Sequence, residues 1–201
     1  MLLFLFTADP SLGKIDKSTL SQQTLMELFI DGIENEKLIC GDSDDITDIS
    51  EWNGVTLSDD SEVIEIHWDI LRLSGSISLQ WLPTTVKTVV IDKRGFSFFW
   101  VEGTLDLTAL PESLEHLTLS GHQFEGEISL TTLPKKMQHL DVSINELSGS
   151  LDLTALPVWI ELLWLKWNAF SGVVDLSKLP ESLMDFDISN NAHLEGVIRL
   201  K

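Results

Sequence analysis

Two punctuation residues keep a common step along this 201-residue chain. Prolines stand at 83, 111, 134, 157 and 180, and glycines at 75, 103, 126, 149, 172 and 196. Both series advance by 23 residues after one shared step of 28, and the last glycine step is 24. A fixed period of this length means stacked, similar coils, because one such unit cannot bury its own apolar face and must borrow its neighbours.

Between the marks runs an apolar skeleton. It reads Leu114, Leu117, Leu119 and Phe124, then Met137, Leu140, Val142 and Leu147, then Ile160, Leu163, Leu165 and Phe170. The alternation at its fourth and sixth positions predicts a short strand with one face inward. Asn145 and Asn168 fall two residues before the closing apolar position, where an amide can satisfy backbone groups as the chain turns out of the strand. Gly then permits a corner, Leu-Asp-Leu (151–153) suits a second short strand, and Pro ends it.

This L-x-x-L-x-L-x-x-N-x-L wording at a 23-residue period resembles the plant-type leucine-rich repeat, whose glycine-containing unit carries a second flanking sheet. The Leu-Pro-x-x-Leu phrase is also similar to repeat proteins of unicellular eukaryotes. The resemblance implies a mostly β, α/β-class solenoid, a right-handed superhelix with a parallel inner sheet. Six units are expected at 63–85, 86–113, 114–136, 137–159, 160–182 and 183–201. Residues 1–62 are expected to form an acidic helical cap. Ser18 to Ile33 supplies its helix, with Leu25, Met26, Phe29, Ile30 and Ile33 on one face and Ser18 or Ser21 as N-cap. Glu51-Trp-Asn-Gly-Val-Thr56 is similar to the Trp-x-Gly-Val segment of plant-type caps. Paired cysteines flank that segment in the family, whereas Cys40 is the single cysteine here.

Charge narrows the partner. There are 32 acidic against 13 basic residues, a formal −19, which repels phosphate backbones and anionic membrane surfaces. Residues 1–62 hold 14 of those acids and three lysines, so the cap is the most acidic part. No run approaches the ~18–20 apolar residues of a membrane span. The apolar Met1–Phe6 lacks a basic leader and reads as a strand or anchor on the body. The lone cysteine, and the absence of any Asn-x-Ser/Thr acceptor, favour a cytoplasmic over a secreted setting.

The outward strand positions should line a concave face where such solenoids bind partners. Glu65, Thr88, His116, His139, Leu162 and Asp185 should form one row, with His67, Val90, Thr118, Asp141, Trp164 and Asp187 beside it. His116, His139 and Asp141 could in principle ligate a metal or move a proton, but no nucleophile or oxyanion donor accompanies them, and the expectation is a polar binding surface. Asp42-x-Asp44-Asp45 lacks the glycine and glutamate of a calcium loop. No catalytic residue, metal site or cofactor is therefore expected. The five extra residues of the long unit fall within Lys93–Trp100, on the edge where the chain leaves the inner strand, and insertions there often serve binding.

The expected function is non-enzymatic binding of a protein or peptide, with the negative field steering basic ligands. The candidate contacts are Phe98, Phe99, Trp100, His116, His139, Asp141, Trp164, Lys166 and Trp167. The alternative is a receptor-type ectodomain fragment that recognises a small molecule or glycan. Residues 196–201 stop before a Leu-Pro bend, which points to self-association through a terminal face or to a longer chain.

Overall fold

The computed structural model describes residues 16–42, 47–93 and 98–197. The apolar Met1–Phe6 stretch, most of the Asp42–Asp45 loop and the last four residues lie outside them. No helix among the described residues is long and apolar enough to cross a membrane.

The repeat winds the chain between two sheets. Strands β2 (Val63–His67), β4 (Thr88–Val90), β6 (His116–Thr118), β8 (His139–Asp141), β10 (Leu162–Trp164) and β12 (Asp185–Asp187) lie parallel in that order. The second sheet orders β3 (Gly75–Ser76), β5 (Val101–Thr104), β7 (Gln123–Glu127), β9 (Glu146–Ser150), β11 (Ala169–Asp175) and β13 (His193–Val197), again in parallel. This is a mostly β solenoid of about six turns. The skeleton residues Leu117, Leu119, Phe124, Leu140, Leu163 and Phe170 are fully buried between the sheets, one set per coil. Packing therefore repeats with the sequence, as borrowed burial requires. In the last described coil Leu183, Phe186 and Ile188 are only half-buried.

The second strand differs in place from the sequence expectation. It forms around the glycine, as in β9, and not on Leu151-Asp-Leu153, which carries no strand. The cause is local: Asp106, Asp152 and Asp175 each accept from the backbone N–H two residues on, tightening the chain, and two of these bends become 3₁₀ turns at Leu107–Ala109 and Leu176–Lys178. The prolines act as expected. The carbonyls of Pro111, Pro134 and Pro157 accept from the N–H groups of Leu114, Met137 and Ile160, closing the bend into the next coil.

The N-terminal segment seals one end of both sheets. Helix α1 (Gln22–Ile30) starts at Ser21, whose hydroxyl accepts from Thr24 N–H, and it buries Leu25, Met26, Phe29 and Ile30. Phe29 stacks on Trp68 at 5.7 Å, and the indole of Trp68 donates to Asn53 O. Strand β1 (Val55–Leu57) pairs antiparallel with β2, covering the first sheet's edge. The second sheet's edge meets Gly32–Asn35. Gly75 must be glycine there, since its φ is 103° and a Cβ would sit 2.1 Å from Gly32 O. Cys40, in the short helix α2 (Lys37–Cys40), is buried, which pushes its thiol pKa up to about 11.

Candidate functional site

The two expected rows form in register. Glu65, Thr88, His116, His139, Leu162 and Asp185 pair across successive strands, and so do His67, Val90, Thr118, Asp141, Trp164 and Asp187. The rings of His116 and His139 meet edge to face at 4.4 Å, and Glu161 lies 3.7 Å from His139. Burial, then the neighbouring His139, holds His116 below the ordinary histidine pKa. Lys166 reaches over the Trp164 ring at 4.8 Å and pairs with Asp187 at 3.2 Å.

Asp141 is the exception in this surface. Only 8% exposed, its carboxylate accepts from the N–H and hydroxyl of Ser143, while burial raises its pKa. It steadies the strand end and offers little to a partner. Among the described residues, no group of three or more His, Cys, Asp or Glu is arranged to hold a metal.

Inside the turns that leave β6, β8, β10 and β12, polar side chains tie coil to coil. Asn145 accepts from Phe124 N–H and donates to the carbonyls of Leu119, Val142 and Ser143. Asn168 repeats the pattern with Leu147 N–H and the carbonyls of Val142, Leu165 and Lys166. Asn191 does the same one coil on. One coil earlier the post is held by His122. Its Nδ1 accepts from Val101 N–H at 3.2 Å, so the proton sits on Nε2, which donates to Ile91 O at 2.9 Å. Burial pushes its pKa down to about 4. Sequence reading missed His122, although counting 23 back from Asn145 lands on it.

His122 thus grips both ends of the long loop, Ile91 and Val101. The described end of that loop is open: Phe98 is 92% exposed and Phe99 47%. Trp100 is half-buried and carries Lys93 over its ring at 4.9 Å. Ile144 and Trp167 occupy the same turn in later coils, both exposed and both at φ 56°. The sheet rows and the loop therefore bring together most of the candidate residues, on one face and its adjoining edge.

Solved ectodomains of plant receptors share this architecture. The leucine-rich repeat ectodomain of the receptor kinase SOBIR1 from Arabidopsis thaliana is 25% identical, covering 90% of this chain and 97% of that one, with a TM-score of 0.62. The BIR2 ectodomain from the same plant is 21% identical, with coverage of 87% and 94% and a TM-score of 0.63. A chain of the Arabidopsis BIR3–SERK2 complex is 19% identical, with coverage of 88% and 94% and a TM-score of 0.56. The chain shares the leucine-rich repeat fold of these plant receptor ectodomains, consistent with plant-type repeats. No family model and no curated protein matches it. In this solenoid the asparagine posts are the feature that the repeat wording announced, whereas the second sheet forms around the glycine and not on the Leu-Asp-Leu segment.

Proposed function

We propose that this leucine-rich repeat chain is a non-enzymatic scaffold that binds a protein or peptide through the face of the seven-stranded sheet and the adjoining aromatic edge. One observation carries the reading. Among the described residues four large aromatic side chains stand exposed, Phe98, Phe99, Trp159 and Trp167, and all but Trp159 line the turns that leave the first sheet. Surface left in water forgoes the stabilisation of burial, whereas aromatic anchors buried at an interface dominate its energy. The BIR3–SERK2 complex, a solenoid chain seen with a protein partner, supports the same use. The formal charge of −19 favours basic ligands and speeds their encounter.

Parallel affinity capture from the source cell tests the reading, using wild type, Trp164→Ala/Trp167→Ala and Phe98→Ala/Phe99→Ala. A partner held by wild type and lost by either variant supports it. Partners retained equally by all three overturn it. The half-buried Leu183, Phe186 and Ile188 favour a second reading, contact with another copy through that end, which light scattering at increasing concentration would show as a rising mass.

A further inference from the structure

We infer that three adjacent hollows along the solenoid edge form one docking surface for a basic segment of a partner protein carrying aliphatic or aromatic anchor residues. This rests on the scaffold reading but moves the principal contact from the sheet face to the edge and the second sheet.

The first hollow, about 170 Å³, is walled by Trp68, Ile70, Leu73, Ile91 and Phe99. Its charged lining of Asp69, Arg72, Asp92 and Lys93 balances in sign, and His122 is neutral there. An apolar side chain suits it. The second hollow, about 300 Å³, lies among Phe98, Phe99 and Trp100, with Glu34 and Glu102. The third, about 440 Å³, is lined by Glu102, Glu125 and Glu146, with Gln123 and Ser76. Phe99 lines the first and second hollows and Glu102 the second and third, so each hollow shares a wall with the next.

Charge decides the occupant. Glu125 stands directly opposite Glu146 in the register of neighbouring strands, and like charges so placed repel. No Lys or Arg occurs in any of the six strands of the second sheet, so that sheet supplies no cation of its own. Glu102, Glu125 and Glu146 sit on three adjacent strands, a span of roughly 10 Å at ~4.8 Å per strand, which about three residues of extended peptide cover. Apolar anchors in the aromatic hollows, followed by Arg or Lys over the glutamates, fit this sequence of chemistries. A small neutral ligand would leave the third hollow unused.

The probe is an acetylated dodecapeptide of alternating Leu and Arg, with Ser-Arg and Leu-Ser peptides of equal length as controls. Binding is read by fluorescence anisotropy at physiological salt with the full chain. The Leu-Arg peptide should bind about tenfold tighter than either control, and about tenfold weaker to Phe98→Ser/Phe99→Ser, as expected for anchor residues. A similar loss is expected for Glu102→Gln/Glu125→Gln/Glu146→Gln, which keeps side-chain shape. Trp159→Ala, an exposed ring that lines none of the three hollows, should bind as wild type. Equal binding of the Ser-Arg peptide would reduce the effect to bulk charge and overturn the inference. So would unchanged binding by both edge variants, or no binding of any peptide. A loss confined to Trp164→Ala overturns the edge surface while supporting the sheet face as the binding surface.

Discussion

The coils around Asn145, Asn168 and Asn191 and the coil around His122 solve one problem with different chemistry. Each must hand a donor and an acceptor to the coil before it. The asparagines do this with an amide and add two bonds to carbonyls of their own turn. His122 makes only the two bonds between coils, to Ile91 O and Val101 N–H. Its longer ring reaches across the mouth of the expanded loop, 92–100, where the preceding coil's partners are further apart in sequence. The difference teaches that regular coils are stitched by a group that does not titrate, whereas the coil bearing the aromatic edge is stitched by one that does.

The largest effect should come from removing an amide post. Asn168→Ala strands Leu147 N–H and loses a donor to three carbonyls, which should cost about 4 kcal/mol, since each buried unmet group costs roughly 1–3 kcal/mol. Urea unfolding should give nearly the same loss at pH 5.5 and pH 8. A pH-dependent loss would erase the distinction between the two kinds of post.

The next effect is pH dependence through His122. Its folded pKa, about 4, lies below the ordinary 6.5, so the unfolded chain takes up a proton first. Its stabilisation is complete above about pH 6.5 and is lost as pH falls towards 4, a span worth about 3 kcal/mol at 1.36 kcal/mol per pKa unit. Protonated Nδ1 would face Val101 N–H, donor to donor, and the loop mouth would open. Asp92 and Lys93 act on the ring with opposite signs. His116, also held low, adds slope of the same sign, while Asp141, held high, opposes it in the carboxylate range. His122→Asn should flatten the stability curve between pH 6.5 and 5, leaving the His116 share. An unchanged slope would remove His122 from the account.

A smaller effect of opposite sign is expected at the turn. Ile144 is β-branched yet held at φ 56°, where the equivalent coils place Gly121 at φ 76° and Asn190 at φ 58°. Ile144→Asn should therefore raise stability by about 1 kcal/mol, seen as a higher melting temperature. A loss would mean that the half-exposed Ile144 packs more than its exposure indicates.

Legibility followed repetition. Pro157 and Gly149, recurring at a fixed step, announced the coils, and Leu140 and Leu163 announced the strands with their register. Asn145 and Asn168 stood out because an unpaired amide in an apolar frame needs a reason. His122 did not, since imidazole does not match the repeat wording, and only its position betrays the shared role. The second strand was misplaced because Leu-Asp-Leu alternates like a strand, whereas the Asp side chain bonds its own backbone and bends the chain. The docking surface needed three coils at once. Phe99 and Glu102 are near in sequence, but Glu125 and Glu146 join them only through winding.

The smallest effect sets links on the open sheet face against links inside the turn. Lys166 joins two coils by pairing with Asp187 at 3.2 Å and capping the Trp164 ring. Both charged side chains keep about 30% exposure, so water and salt screen the pair. Asp187 is held below the usual carboxylate range chiefly by its hydrogen bonds with Ser189, and Lys166 is the weakest of the causes. Lys166→Met should thus cost about 0.5 kcal/mol, the value of an exposed ion pair with a modest cation–π share, and 1 M salt should remove most of it. The same kind of coil-to-coil connection would then differ about eightfold according to burial alone. If Lys166→Met costs as much as Asn168→Ala, burial is not what separates the two, and the sheet face is a structural seam and not a surface free for a partner.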